Sequence, residues 1–233
     1  MPTQVLAAPR VQPVRLPLPV FYPAAEVPNW GIVSRYYAAR GDTRIWFRYG
    51  RQSVAAGSLI NILQRAPVDG LPSGPRIALQ VQQAIQLAQT GTPAAVSHAE
   101  RVLSAAWVTY VQALRTPPKD IEFADPTLLS DTAADRILSE AASSPLLDRH
   151  IAVTSNVNPT YAQLREAAWN IGRITGGAID QRIVRNLDRL RILPSKGRYV
   201  VVDLASQTLF MYAEGSVRDT MKVIVGKPDH ATR

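Results

Sequence analysis

The sequence has 233 residues, with 26 Lys and Arg against 18 Asp and Glu, a formal net charge of +8 and no cysteine. A hydrophobic share of 46% is enough for a buried core and argues against wholesale disorder. Without cysteine the chain cannot form a disulfide, a thiolate metal site, an iron–sulfur cluster or a cysteine nucleophile. Three histidines far apart in sequence also make a multi-histidine metal site a poor candidate.

The excess of positive charge raises the question of a nucleic-acid partner, because Lys and Arg neutralise phosphates. The charges are spread along the chain and no basic run reaches five or six residues, so we interpret them as an ordinary solubility charge and expect no nucleic-acid partner. No stretch approaches the roughly 20 apolar residues that cross a bilayer, so we expect no integral membrane segment. Residues 5–8 resemble the tail of a signal peptide, and a plain disordered leader is the equal alternative.

Residues 1–29 form a proline-rich segment, with Pro at positions 2, 9, 13, 17, 19, 23 and 28. Because proline blocks helices and favours extended backbone, this segment is predicted to be a leader or a strap laid over a domain.

Apolar residues recur at helical spacing from Trp30 onward and predict seven helices. The first runs from about Trp30 to a break at Gly41-Asp42, and the last is predicted to have Asp180 as its N-cap. Residues 119–126 are predicted to be a loop. The other six helices are predicted at 53–65, 75–88, 96–114, 131–142, 160–171 and 180–190.

The pattern changes near residue 198 to β-branched and aromatic residues, which are typical of strands. Three strands are predicted at 198–204, 208–212 and 217–225, with turns at Ser206-Gln207 and Glu214-Gly215. The fold class is therefore predicted to be α+β. A mostly helical scaffold domain at 30–193 is followed by an incomplete β meander at 194–233.

Two polar groups could carry a function. Residues 97–100, Ser-His-Ala-Glu, could be a base–nucleophile pair, but adjacent helical side chains do not face each other, so a capped helix N-terminus is the favoured interpretation. Three arginines share one helical face and could bind an anionic polymer. A solvated face of an amphipathic helix is favoured for them. They are Arg182, Arg185 and Arg189.

Three tryptophans, Trp46, Trp107 and Trp169, could stack on sugars. Two of them lie on apolar helical stripes, which favours core packing. The chain lacks Gly-x-Gly-x-x-Gly, Walker, Gly-x-Ser-x-Gly, Ser-x-x-Lys and His-Glu-x-x-His motifs. No catalytic, cofactor-binding or metal-binding residue is therefore assigned, and no cofactor is expected.

Five segments, at 161–165, 182–194, 198–204, 209–212 and 221–228, follow one another in a specific order and spacing. On these segments the sequence resembles the L,D-transpeptidase family that cross-links bacterial peptidoglycan, and in particular its large scaffold-bearing periplasmic branch. The residues from Tyr36-Tyr37 through Asp69-Gly70-Leu71 to 107–110 resemble the helical scaffold of that branch more loosely. The resemblance implies a location in the periplasm or cell envelope and peptidoglycan stem peptides as partners.

The resemblance also implies a catalytic domain whose histidine–glycine and serine–histidine–glycine–cysteine motifs this sequence does not contain. In that family the cysteine thiolate is acylated by a donor stem peptide, and an amine of a neighbouring stem resolves the thioester. His230 precedes the position of the family's catalytic histidine, so no catalytic role is carried over to any residue. The chain alone is expected to be inactive.

Two interpretations of the missing motif remain. The chain is either the N-terminal portion of a peptidoglycan L,D-transpeptidase, truncated within its catalytic β domain at 194–233, or a degenerate non-catalytic protein. Three strands without a partner sheet leave an unpaired edge and an uncovered apolar face, which favours the first. The alternative function is a non-catalytic peptidoglycan-binding or scaffold protein of the cell envelope.

Overall fold

The computed structural model describes residues 27–41, 43–116, 130–175, 180–224 and 226. Over these ranges eight α-helices precede a three-stranded antiparallel sheet, so the predicted α+β class is confirmed. Most of the predicted leader and the predicted loop at 119–126 lie outside them. The helices are α1 Trp30–Arg40, α2 Ala55–Arg65, α3 Gly74–Ala88, α4 Pro93–Arg115, α5 Ala134–Ser143, α6 Leu147–Asn156, α7 Pro159–Thr175 and α8 Gln181–Leu190. The strands are β1 Arg198–Asp203, β2 Thr208–Ala213 and β3 Ser216–Lys222.

Helix α4 is the centre of the helical body, and most of its residues from Ala99 to Val111 are buried. It packs against α1, α3 and α5, while α2 packs against α3 and α6. Buried aromatic and aliphatic side chains fill the space between these helices. Removing each large apolar side chain from water stabilises the fold by about 1.5 to 3 kcal/mol. Among the helices of the described ranges, none combines the length and the apolar character that a bilayer crossing requires.

The structure shifts two predicted helix starts by three residues and adds one helix. Helix α5 begins at Ala134 rather than at residue 131. Helix α4 begins at Pro93 rather than at residue 96, because the Thr92 hydroxyl accepts a hydrogen bond from the Ala95 amide and Pro is well suited to the first helical position. Helix α6 is absent from the prediction. Its buried residues are Leu147, Ile151 and Ser155, which recur only every fourth position. Such a narrow buried face is too weak a periodic pattern to predict a helix.

The sheet has the strand order β1-β2-β3, and its strands agree with the predicted ones to within three residues. Tyr199 is opposite Tyr212 across the β1–β2 pair, and their rings stack with centroids 4.8 Å apart. Val200 is opposite Met211 on the other face. Strand β3 ends at Lys222, where its β2 partner Thr208 begins.

The end of α8, which leads into the sheet, and the β2–β3 turn are both held against the start of α7. The Asn158 side-chain amide donates hydrogen bonds to the carbonyl oxygens of Leu190 and Leu193, at 2.8 and 3.2 Å, and so ties the start of α7 to the end of α8. In the β2–β3 turn, a Cβ on Gly215 would lie 3.2 Å from the Pro159 ring. The turn therefore rests directly on the first residue of α7.

Candidate functional site

The structure separates the side chains of the Ser97–Glu100 group, as the favoured interpretation predicts for adjacent helical residues. The residue that caps α4 is Thr92. His98 is half-buried, and its ring centroid lies 5.5 Å from that of Trp30. Glu100 points into the core and is 2% exposed. These residues therefore do not form a base–nucleophile pair.

Glu100 instead holds the segment between α1 and α2. Its carboxylate accepts hydrogen bonds from the amides of Ile45, Trp46 and Phe47, at 2.5 to 3.2 Å, and from the Tyr37 hydroxyl at 2.7 Å. Burial raises the pKa of Glu100, and these hydrogen bonds act in the opposite direction. Because three backbone amides and the Tyr37 hydroxyl bond to its carboxylate, Glu100 has a structural role that the local sequence does not predict. The sequence feature that could have indicated this role is a single acidic residue within the apolar stripe of α4.

The other two predicted groups are found where the favoured interpretations place them. Trp46 and Trp107 are fully buried, and Trp169 packs partly buried against the core. The three arginines of α8 are exposed, and one of them, Arg182, forms an ion pair with the N-cap residue Asp180 at 2.8 Å. The Asp180 carboxylate also accepts from the Arg182 amide, which confirms the predicted cap.

A second buried acid, Asp69, lies in the loop between α2 and α3 and is 1% exposed. Its carboxylate accepts hydrogen bonds from the hydroxyls of Tyr161, at 2.5 Å, and Tyr110, at 3.0 Å. The Arg165 guanidinium lies 4.0 Å from the same carboxylate. Burial raises the pKa of Asp69, while Arg165 and the Tyr161 hydrogen bond oppose the rise.

Arginines extend this network to two further elements. The Arg165 guanidinium donates to the Ser155 carbonyl and to the Asn156 side chain at the end of α6. Arg191, after α8, donates to the carbonyls of Asp69 and Ala113, at 3.2 and 2.9 Å. The Asp69 network therefore joins the α2–α3 loop, α4, α6, α7 and the end of α8.

The surface feature with the most unusual backbone is the turn at Arg48–Gly50. Tyr49 has φ 55° and ψ 35°, Gly50 has φ 71°, and the Arg51 amide donates to the Arg48 carbonyl at 3.1 Å. Positive φ at both central residues is the geometry of a type I′ turn, which prefers Asn, Asp or Gly at the position that Tyr49 occupies. The Tyr49 side chain is fully exposed.

Arg48 anchors this turn to the end of α5. Its guanidinium donates to the carbonyls of Ser144, Ala141 and Ala142, at 2.6 to 3.2 Å, in the region where the helix leaves its last carbonyls without partners. A cation at a helix C-terminus is also favoured by the helix dipole. The turn is thus fixed to the body of the protein while the Tyr49 ring projects into solvent.

Two clefts flank the Tyr49 side chain. One, of about 420 Å³, is lined by Arg44, Phe47, Gly50 and Ala142, and the other, of about 570 Å³, by Arg51, Gln52, Ser53, Pro145 and Leu147. Arg48 and Tyr49 line both, so they form the wall between the clefts. Three arginines and no carboxylate are found among these lining residues. The described part of the chain contains no group of three or more His, Asp or Glu side chains that could hold a metal ion.

A family model described as Scaffold domain matches residues 32–167, which is more than half of the chain. The chain belongs to the Scaffold domain family. The match extends from α1 into α7 and includes the buried acids Glu100 and Asp69, the Tyr49 turn and Arg165. Arg191 and the sheet lie beyond it. No curated protein and no solved structure matches the chain.

Membership in the Scaffold domain family fits the scaffold-bearing character expected from the sequence. It also gives the two buried acids a context, because both stabilise the architecture that defines the matched region. Glu100 fixes the α1–α2 connection against α4, and Asp69 fixes α7 against the α2–α3 loop. The scaffold domain is thus held together by long-range polar contacts as well as by its apolar core.

Proposed function

We propose that this chain is the N-terminal portion of a peptidoglycan L,D-transpeptidase of the cell envelope. The observation that carries the proposal is a sheet with apolar side chains on both faces, attached to a scaffold domain. The match to the Scaffold domain family supports an assignment to the scaffold-bearing branch of that family of enzymes. The strand segments at 198–228 carry the resemblance to its catalytic domain.

The strand register places apolar residues on both faces of the sheet. One face carries Val200, Val202, Leu209, Met211 and Met221, and the other carries Tyr199, Val201, Phe210 and Tyr212. Val200, Val202 and Met221 are about half exposed. A sheet with one solvated face alternates apolar and polar residues, whereas one covered on both sides is apolar throughout. The pattern therefore favours a sheet that belongs inside a larger β domain.

The attachment of the sheet suits this role. The Asn158 amide fixes the α8 end that leads into β1, and the β2–β3 turn rests on Pro159. The Asp69 network holds α7 itself in place. The scaffold domain would in this way set the position of the catalytic domain through α7 and α8.

The chemistry of the complete enzyme requires a group that this chain lacks. A cysteine thiolate attacks a carbonyl carbon of the donor stem peptide, the terminal D-alanine leaves as its amine, and an acceptor amine then displaces the thiolate from the thioester. The 233 residues contain no cysteine, so the chain itself is inactive. Its contribution is structural, and its partners are peptidoglycan stem peptides reached through the complete protein.

The proposal is tested by the nucleotide sequence that follows the Arg233 codon. We expect a reading frame, in phase or shifted, that encodes the serine–histidine–glycine–cysteine motif. The protein extended through that motif should react with a carbapenem, and opening of the lactam ring adds the whole mass of the compound to the protein. The extended protein with its cysteine replaced by alanine is the control. Absence of the motif in every frame, or an extended protein that is not acylated, would contradict the proposal.

A non-catalytic peptidoglycan-binding protein of the envelope is the second candidate function. It is favoured by the exposed Tyr49 ring and the two clefts beside it, which lie on the scaffold domain and do not involve the sheet. Sedimentation with purified sacculi tests this function. Retention that survives moderate salt supports a binding module, and a chain that stays in the supernatant contradicts it.

A further inference from the structure

We propose that the Tyr49 surface, formed by the Tyr49 ring and the two clefts that flank it, binds a carboxylate-bearing glycan. The inference rests on the proposed function, which places the protein beside peptidoglycan. Peptidoglycan is a polymer that combines sugar rings with carboxylates. The inference assigns the contact to the scaffold domain, away from the sheet.

The backbone of Tyr49 lies in the left-handed region. A left-handed backbone costs a residue other than glycine roughly 1–2 kcal/mol, and Asn or Gly would remove most of this cost. A fully exposed ring buries no apolar surface that could offset it. Backbone strain of this kind is found where the surrounding structure enforces it, often at ligand sites. Here the Arg51 amide closes the turn on the Arg48 carbonyl, and the Arg48 side chain is held by hydrogen bonds to the end of α5.

The surroundings of the Tyr49 ring also suit a ligand in shape and charge. Each cleft has the volume of a small-ligand site, and together they leave both sides of the Tyr49 ring accessible. The exposed Arg51 lines the second cleft, beside the exposed Tyr49 ring. A ligand with an apolar ring face and a neighbouring carboxylate matches this arrangement, because guanidinium groups pair well with carboxylates.

Single-stranded nucleic acid also combines rings with anions, but it fits less well. Proteins that bind it usually present several aromatic rings along a continuous basic groove. Within the described clefts Tyr49 is the one exposed aromatic side chain, and Phe47 is buried. A glycan needs only one ring for stacking, with polar and charged groups beside it.

The test is titration calorimetry of the full 233-residue chain with a soluble disaccharide tetrapeptide released from peptidoglycan. Neutral chitotetraose and oligo(dT) are the comparison ligands. We expect Y49N to bind the fragment about tenfold more weakly, as expected for the loss of one stacked ring, and to be at least as stable as the parent because Asn tolerates the turn. Y49W should retain binding. R51A should weaken binding by roughly threefold to tenfold and reduce its salt dependence.

Arg76, exposed on α3 and lining neither cleft, provides the matched control. R76A removes the same charge as R51A and should bind like the parent. Equal binding by Y49N and the parent, or no binding by the parent, would contradict this site. Tighter binding of oligo(dT), or equal binding of chitotetraose, would contradict the ligand class. Acylation of the extended protein does not depend on Tyr49, so its result separates a failure of the proposed function from a failure of this site.

Discussion

The Tyr161 hydroxyl donates a hydrogen bond of 2.5 Å to the buried carboxylate of Asp69, which lies 92 positions earlier in the chain. This bond joins the second residue after the start of α7 to the loop between α2 and α3. Tyr110 of α4 donates to the other oxygen of the same carboxylate. One acid thus fixes three elements of the scaffold domain, and α7 in turn carries the contact with the sheet.

Removal of the Tyr161 hydroxyl should destabilise the protein. In Y161F the ring remains, but a buried carboxylate loses one of its two hydroxyl donors, at a cost of about 1 to 3 kcal/mol. Urea unfolding followed by tryptophan fluorescence measures the change. Y49F removes the same hydroxyl from a fully exposed ring and should stay within about 0.5 kcal/mol of the parent. Equal stabilities for the two variants would contradict the role of the Asp69 network.

Replacement of Glu100 by alanine should have a larger effect. E100A leaves three buried amides without their acceptor and removes one of the two hydrogen-bond partners of the Tyr37 hydroxyl, so we expect a loss of about 3 to 5 kcal/mol. E166A, at an exposed position on α7, is the control and should change stability little. Chemical denaturation of both variants gives the difference. An E100A protein as stable as E166A would show that the carboxylate does not hold the 45–47 segment.

Two glycine-to-alanine changes should act in opposite directions. Gly70 has φ +85° and an added Cβ would lie 3.3 Å from the Arg191 guanidinium, so G70A should destabilise by about 1 to 2 kcal/mol. Gly57 lies inside α2 with open space around it, so G57A should stabilise by about 0.5 to 1 kcal/mol. Thermal unfolding of the two variants side by side tests both signs, and a shift in the same direction would contradict the argument.

Acid should weaken the folded state through two histidines. Burial lowers the pKa of His98 and of His150 from the ordinary value near 6.5, so in this range the unfolded chain binds more protons than the folded one. Stability from these groups is therefore present at pH 7.5 and is lost as the pH falls below about 6.5. Denaturant midpoints at pH 7.5 and 5.5 should differ more for the parent than for the H98Q/H150Q double variant. A larger loss in the double variant would contradict this sign.

The sequence predicted most elements because their signals are local. The apolar stripe of α4, the Asp180 cap and the Glu214-Gly215 turn each depend on residues only a few positions apart. Helix α6 was missed for the opposite reason. Its buried residues are few, and its stability comes from packing against α2, which cannot be read from the segment itself.

The candidate sites could not be predicted in the same way. Glu100 and Asp69 acquire their roles from donors 41 to 92 positions away in sequence, and no local pattern reports such partners. The position of Tyr49 between two clefts likewise depends on the end of α5. The Arg48 side chain binds carbonyl oxygens there that lie more than 90 positions later in the sequence. Spacing rules describe neighbours along the chain, whereas these sites depend on neighbours across it.

The amino-acid sequence by itself determined the α+β class, the order of the elements and the absence of a sulfur nucleophile, because periodicity, turn residues and composition are properties of the chain alone. Only the tertiary structure decided which polar residues are buried, which backbone amides a carboxylate accepts from, and which aromatic ring is left in solvent. Burial and hydrogen bonding depend on the packing of distant segments, and that packing is specified by the whole chain at once.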